Sequence, residues 1–337
     1  MRAALEIAHR WVREGKGVAA ATLVSIGGSV PRRAGARLLV SSGADSWGSV
    51  SFGCVDADVA THAAAVLESG QPRLAAYGVS DEDALAVGFT CGGTMEVFIE
   101  PWTHLHDRLG AVPDEDFLGV MATVVSGPGV GSHGLLDREG GLVVGSVSPV
   151  SVEALAPDVG AAVDDEQARL VEWHGTRVFV EPVVPSPRLI VFGAGHTAQA
   201  LTAGAAAVGF RVTVSDHRPA MAVPERYPDA VEVLVGRPDE VVPTVAPCAR
   251  TYVVCLAHNP EVEDILLPLV LASEARYVGV LGSRRTHAAR VDRLIAAGVP
   301  AEQVARLHAP VGLDLGAVTP EEIAASIVAE LIAVRRR

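Results

Sequence analysis

Apolar positions along this chain follow two different rhythms, and the change between them near residue 185 divides it. In the first stretch, apolar runs over 18–26, 36–40, 47–52 and 95–99 predict strands, and helical spacing over 3–13 and 56–67 predicts two helices. Most of that order then recurs. Ala21-Thr22-Leu23-Val24-Ser25 returns as Ala122-Thr123-Val124-Val125-Ser126, Gly48-Ser49-Val50-Ser51 as Gly145-Ser146-Val147-Ser148, and Val97-Phe98-Ile99-Glu100-Pro101 as Val178-Phe179-Val180-Glu181-Pro182. We therefore expect an internal duplication, residues 21–101 and 122–182. The second copy has a tight acidic turn at Asp137-Arg138-Glu139-Gly140 and a helix near 152–166, and it lacks a counterpart of about residues 70–86. Laid over one another, the copies place Cys54 on Ser151 and Cys91 on Glu172.

Pro182, Pro185 and Pro187 interrupt any regular element and mark the expected linker. Beyond it, apolar strands at 189–192, 211–215, 231–235, 251–256 and 277–281 alternate with helical patterns, which implies a parallel sheet covered on both faces. The last helix opens on a capping box, Thr319-Pro320-Glu321-Glu322, followed by an apolar stripe through Ile323, Ile327, Val328, Leu331 and Ile332. The fold class is α/β: an N-terminal α+β domain, 1–185, containing the duplication, and a Rossmann-like C-terminal domain, 186–337.

The first strand of the second domain runs into Gly193-Ala194-Gly195-His196-Thr197-Ala198. Gly193 permits the tight turn, Gly195 lets backbone approach a pyrophosphate, and Ala198 is small where helix must pack on strand. The helix amino terminus offers N–H groups to phosphate, and Asp216, about twenty residues on, is placed for a ribose hydroxyl pair. His196 either touches phosphate or caps the turn. Three later strand ends carry polar groups that would line the same crevice: Cys255 to Asn259, Gly282-Ser283-Arg284-Arg285, and His308 to Asp314. Arg284 and Arg285 at a helix start suit a phosphate or carboxylate, and Ser283 and Arg284 are expected among the cofactor-binding residues. Cys255 reads as a buried small hydrophobe and Cys248 as a loop residue.

Charge narrows the partners. A net charge of −13, with Lys16 the only lysine, argues against nucleic acid or an anionic membrane. No apolar run long enough to span a bilayer appears and no signal-peptide pattern precedes the first helix, so a cytoplasmic protein is expected. Four cysteines without framework spacing fit a reducing compartment. A homodimer is the default expectation for such a chain.

Two of the cysteines sit where chemistry is easy. Cys91-Gly92-Gly93 puts a thiol beside residues without side-chain bulk, where backbone amides can close on an anion; Gly53-Cys54 precedes a helix whose dipole favours thiolate. The turn Gly27-Gly28-Ser29-Val30-Pro31-Arg32-Arg33 adds two positive charges, Arg32 and Arg33. Together these suit an anionic, sulfur-preferring ligand. Zinc is the rival, but two isolated cysteines lack the usual paired spacing and His104-Leu105-His106 is expected to be exposed loop, so no metal site is assigned. On residues alone an NAD(P)-dependent oxidoreductase of a small carbonyl or hydroxyl substrate, and a scaffold whose nucleotide loop only senses occupancy, stay open beside a cofactor-holding protein.

The chain resembles the XdhC/CoxI family, accessory proteins for xanthine dehydrogenase and related molybdenum hydroxylases. The resemblance rests on Gly28-Ser29 with Pro31-Arg32, Gly53-Cys54-Val55, Cys91-Gly92-Gly93, Gly193-Ala194-Gly195-His196, Gly279 to Arg285, and above all His308 to Asp314 with Thr319 to Ala324. It implies a chaperone that binds molybdenum cofactor (molybdopterin, as such or in a dinucleotide form), supports its sulfuration, and delivers it to an apo molybdenum hydroxylase of xanthine dehydrogenase or CO dehydrogenase type. A cysteine desulfurase is a further partner on this reading. Cys91 is the implied cofactor-holding residue and Cys54 the second choice. The sequence departs from the family pattern at Phe52, Asp56, Ala198 and Ala257-His258-Asn259, and Phe52 puts the role of Cys54 in doubt.

Overall fold

The computed structural model describes residues 2–28, 32–78, 93–103, 106, 117–257 and 259–336, in two compact units, Met1–Pro185 and Ser186–Arg337. Among the described residues no helix is long and apolar enough to cross a membrane.

The first unit opens with helix α1 (Arg2–Arg13) and then builds the same motif twice. Strands β1 (Val18–Gly27), β2 (Arg37–Ser41), β3 (Ser46–Gly48), β4 (Arg73–Tyr77) and β5 (Thr94–Pro101), with helix α2 (Asp56–Ser69), make one sheet in the order β3-β2-β1-β5-β4. Strands β6 (Gly119–Ser126), β7 (His133–Asp137), β8 (Leu142–Gly145), β9 (Arg169–Trp173) and β10 (Thr176–Val183), with α3 (Val152–Asp165), repeat it as β8-β7-β6-β10-β9. Every ladder is antiparallel. In each copy the helix covers one face: Val59, Ala63 and Val66 pack on β1, β2 and β5, and Leu155, Val159 and Val163 pack on β6 and β10.

The other faces of the two sheets meet. Their shared core contains Val24 with Val125, Phe98 with Phe179, and Leu74 with Leu170, each pair holding equivalent places in the two copies. Equivalent residues meet one another only along a pseudo-two-fold axis. On that axis Arg177 donates to both oxygens of Glu96, its own counterpart. Off it, Arg37 on β2 makes a two-pronged pair with Glu181 on β10, and the mirrored positions, His133 on β7 and Glu100 on β5, also face each other.

Three expectations about this unit change. The strand over 47–52 ends at Gly48, whose φ of +86° turns the chain and whose added Cβ would stand 2.3 Å from the Arg37 carbonyl oxygen. Gly145 repeats the device, with its Cβ 2.2 Å from the His133 carbonyl oxygen. Residues 73–77 do have a counterpart, because β9 pairs with β10 as β4 pairs with β5. That register sets Glu172 in the place of Ala76, opposite Arg177 and Glu96 respectively, rather than in the place of Cys91. Likewise Ser151 caps α3 where Val55 caps α2, one residue beyond Cys54.

The second unit is a six-stranded, wholly parallel sheet, β13-β12-β11-β14-β15-β16, built from β11 (Arg188–Phe192), β12 (Arg211–Asp216), β13 (Glu232–Val235), β14 (Thr251–Cys255), β15 (Tyr277–Val280) and β16 (Leu307–His308). Helices α4 (His196–Ala207), α5 (Pro238–Val245), α6 (Pro260–Leu271), α7 (Arg284–Ala296), α8 (Ala301–Val304) and α9 (Pro320–Arg335) cover it. Alternate residues of β11 feed two cores, Leu189 and Val191 toward α4 and α9, Ile190 and Phe192 toward α5 and α6. The α9 capping box forms as expected, with Thr319 and Glu322 exchanging bonds, but Ile332 of the stripe stays exposed. Counted within the unit the strand order is 3-2-1-4-5-6, the doubly wound order whose switch point lies between β11 and β14.

Candidate functional site

The switch point opens into a cavity of about 700 Å³ lined by the glycine turn, the start of α4, the end of β12 and the residues after β14. Gly193 turns at φ +106°, and a Cβ there would meet the backbone nitrogen of Ala257 at 2.8 Å; the turn needs glycine for its own packing. Gly195 differs. Its backbone is extended, it caps α4 without any side-chain capping bond, and a Cβ added to it meets no protein atom within 4 Å. The space beside it is open and the first amides of α4 face it without a side-chain acceptor, an arrangement that suits a phosphate. Ala198 is fully buried, as helix packing on the strand requires. His196, first residue of α4, is exposed on the cavity wall.

Asp216 stands on the same wall with its carboxylate filled. It accepts from the Ala194 and Arg218 backbone N–H groups at 2.8 and 3.0 Å, and from the Arg218 guanidinium at 2.9 and 2.8 Å. Burial opposes its charge, but these bonds outweigh burial and hold it at about 2. It organises the glycine loop and presents Arg218, half exposed, to the cavity. A folded-state pKa below the unfolded one stabilises the fold at pH values above the ordinary carboxylate range and loses that contribution as pH falls toward the folded value. Asp216→Asn is therefore expected to remove acid sensitivity between roughly pH 4 and 2. Thermal melts across that range check it, and equal pH slopes for both proteins would contradict it.

The structure brings Gly193, Gly195, His196 and Asp216 to one cavity, and Leu256, Ala257, Asn259 and Leu281 from the later strand ends join them. Ser283 and Arg284 do not line it. Ser283 caps α7 by accepting from the Thr286 amide, and Arg284 is 87% exposed. Cys255 is buried beneath, its thiol pushed up to about 12 by burial, so it is no nucleophile. His217, Arg218 and Met221 on the wall belong to no motif; Arg218, two residues past the acidic position, was the legible signal. The His308–Asp314 segment is positioned from behind: Glu330 accepts from Tyr277 Oη and the Gly312 amide, both at 2.6 Å, and faces His308 Nδ1 at 2.8 Å.

In the first unit Cys91 and Gly92 lie outside the described residues, as do His104 and, in the second unit, His258. Gly93 is buried and Gly28 exposed at φ +70°. Cys54 is half-buried against the core of the first repeat. The turn beside it is held by Asp56, whose carboxylate accepts from Ser49 Oγ, the Val50, Ser51 and Gly53 amides and Ser51 Oγ, at 2.6 to 3.1 Å. Arg32 belongs to the same turn: it donates twice to the Ser49 carbonyl and lies 4.6 Å over the Phe52 ring. Phe52, at φ +57° and 67% exposed, therefore points outward rather than onto Cys54. Arg33 is exposed.

His106 is not exposed loop. It is buried, stacked on Trp102 at 4.5 Å, and its Nε2 stands 3.5 Å from Glu100 Oε1. Across the seam His133 Nε2 stands 2.6 Å from Glu100 Oε2. Spacing hid this group, since Glu100 comes from the first copy, His106 from the segment between the copies and His133 from the second.

Comparison with known proteins covers nearly the whole chain. A sequence profile of the XdhC Rossmann domain matches residues 189–331, and one of the XdhC and CoxI family matches residues 11–78. A Bacillus subtilis protein that bears the name of a probable xanthine dehydrogenase subunit is 31% identical over 326 residues, 94% of this chain and 93% of that one. The Escherichia coli protein named as the molybdenum cofactor insertion chaperone PaoD is 28% identical over 336 residues, 99% of this chain and 88% of its own. A crystal structure from Bacillus halodurans, described as a xanthine dehydrogenase, superposes with a TM-score of 0.81 at 29% identity, covering 98% of this chain and 95% of that one.

Proposed function

Because the chain belongs to the XdhC and CoxI family, we propose that it binds molybdenum cofactor and passes it to a xanthine dehydrogenase-type molybdenum hydroxylase during maturation, rather than turning over a free substrate. The observation that carries this reading is the open ground beside Gly195. A glycine that no protein atom requires, at the uncapped start of a helix and on the wall of a 700 Å³ cavity, is explained by a ligand that occupies it. The α4 amides would take a diphosphate and Arg218 a further anionic group. A pterin dinucleotide brings that diphosphate. The carrying surface is local, because a chain of net charge −13 needs such positive ends to hold an anion at all.

Cys91 is the residue proposed to hold the molybdenum end, since thiolate is a fitting ligand for a soft, sulfide-bearing metal centre. Support of sulfuration, with a cysteine desulfurase as donor, and a homodimeric, cytoplasmic protein belong to the same proposal. The test is retention of cofactor. Purified full-length chain mixed with molybdopterin in free and dinucleotide forms is expected to carry pterin through gel filtration, and Cys91→Ala to weaken binding by about tenfold or more. Pterin lost from the wild-type chain sinks the proposal; pterin kept equally by Cys91→Ala sinks that thiol's role. The dinucleotide seat would also accept NAD(P). If NAD(P) is held instead and its absorbance changes with a carbonyl or hydroxyl substrate, the oxidoreductase reading replaces this one.

A further inference from the structure

The two repeats answer the same electrostatic demand in two different ways. At one pseudo-symmetric place Glu181 of the second copy, its side chain 10% exposed, is neutralised by the fixed charge of Arg37. At the mirrored place Glu100, its side chain 7% exposed, faces two imidazoles, His133 from the other copy and His106 from the segment after β5. Glu100 is held between them, with His106 Nε2 3.5 Å from one of its oxygens and His133 Nε2 2.6 Å from the other. A buried carboxylate must be compensated; Arg37 attracts Glu100 from a distance, and the imidazoles that touch it add charge only by taking up a proton or a metal ion.

The geometry favours an ion. One ligand atom from each of Glu100, His106 and His133 lies within 4.8 Å of the others, the one such group among the described residues. A zinc ion bound at ~2.0–2.1 Å separates its tetrahedral ligands by about 3.3 Å; His106 Nε2, 3.5 Å from Glu100 Oε1, stands near that spacing, and His133 Nε2, 2.6 Å from Oε2, would draw back by about 0.7 Å. His133 Nε2 is 2.6 Å from Glu100 Oε2 but off the line of a hydrogen bond, and it has no hydrogen-bond partner although its side chain is only 4% exposed. A buried imidazole nitrogen beside a carboxylate but not hydrogen-bonded to it is open to an ion. On His133 the outer nitrogen suits an ion: Nδ1 meets Thr123 Oγ1 at 3.1 Å, a hydroxyl that can accept its proton and leave Nε2 toward the carboxylate. His106 Nδ1 accepts from the Thr103 amide at 3.1 Å and lies 3.0 Å from Thr103 Oγ1, so the amide bond must be exchanged for one to the hydroxyl when His106 Nε2 takes an ion.

We propose that Glu100, His106 and His133 hold a divalent transition-metal ion of the zinc type, which ties the two repeats together across their seam. Glu100 comes from the first copy, His106 from the segment that follows it and His133 from the second copy, so the ion acts as a cross-link within the first unit.

The test uses the full chain stripped with chelator and then given Co²⁺ or Zn²⁺ alone. Wild type is expected to show the visible bands of tetrahedral Co²⁺ without a thiolate charge-transfer band, and to melt higher with Zn²⁺. His133→Arg places a guanidinium opposite Glu100, reproducing the Arg37–Glu181 pair. It is expected to melt like metal-free wild type or above it, and to lose both the Co²⁺ bands and the Zn²⁺ response. His106→Gln is expected to weaken Co²⁺ affinity by about tenfold or more. Stripped wild type that gives no Co²⁺ bands overturns the proposal, leaving a site that holds only protons, and so do bands that persist at undiminished affinity in both variants.

Discussion

Gly195→Ala is expected to leave the fold nearly untouched and to weaken nucleotide or pterin dinucleotide binding by about tenfold or more. The added methyl meets no protein atom, and its backbone is in the extended region that any residue adopts. Alanine is a poorer helix cap than glycine, so a loss of up to about 1 kcal/mol in stability is anticipated. The methyl would instead occupy the ground over the first amides of α4, where a diphosphate must come closest. Gly193→Ala supplies the contrast two residues away. There the left-handed backbone costs alanine roughly 1–2 kcal/mol, with the clash against Ala257 added to it, so stability falls first and binding with it. Thermal melting and equilibrium binding on both variants separate the two roles. A Gly195→Ala protein that binds normally would remove the main support for a ligand at the switch point.

Arg290→Met is expected to destabilise the second unit by about 3–5 kcal/mol. Arg290 is completely buried and donates to both oxygens of Glu263, at 3.0 and 2.7 Å, and to the Leu281 carbonyl at 3.0 Å. Removing the guanidinium strands a buried carboxylate that Arg293, a third exposed, only partly compensates. It also frees the Leu281 carbonyl, and Leu281 is part of the cavity wall, so cofactor binding is expected to weaken in parallel. The double variant Glu263→Leu with Arg290→Met should recover most of the stability, since no charge is then left buried. Denaturant unfolding measures both. A double variant no more stable than Arg290→Met would mean the pair acts through packing rather than charge.

The chain alone discloses whatever neighbours along it decide. The turn at Gly193, the helix that begins after Gly195 and the acid at Asp216 lie on consecutive elements, and their spacing follows from one strand, one helix and the next strand. The capping box at Thr319 and Glu322 is equally local. Register is not. Strand β4 has too little alternation to be recognised, and only its pairing with β5 reveals that Ala76, not Cys91, stands where Glu172 stands in the other copy. Nor does sequence spacing register burial by a partner repeat. His106 reads as exposed because its own segment is polar, whereas Trp102 and the opposite sheet enclose it. Spacing does put Asp216 on the cavity, but the guanidinium that fills its lone pairs comes from a side chain whose direction no spacing rule fixes.

The Glu96–Arg177 pair bears on what the two halves of the first unit would do if cut apart. The two residues hold equivalent positions and meet on the pseudo-axis, so a symmetric dimer of the first half alone would set Glu96 against a second Glu96, and one of the second half would set Arg177 against Arg177. Like charges at such close range in a partly dried seam repel. The opposite charges at the two positions make each half selective for the other. Separately expressed halves should therefore assemble as a mixed pair in preference to either symmetric one, so that the pair works as a sorting device as well as a contact.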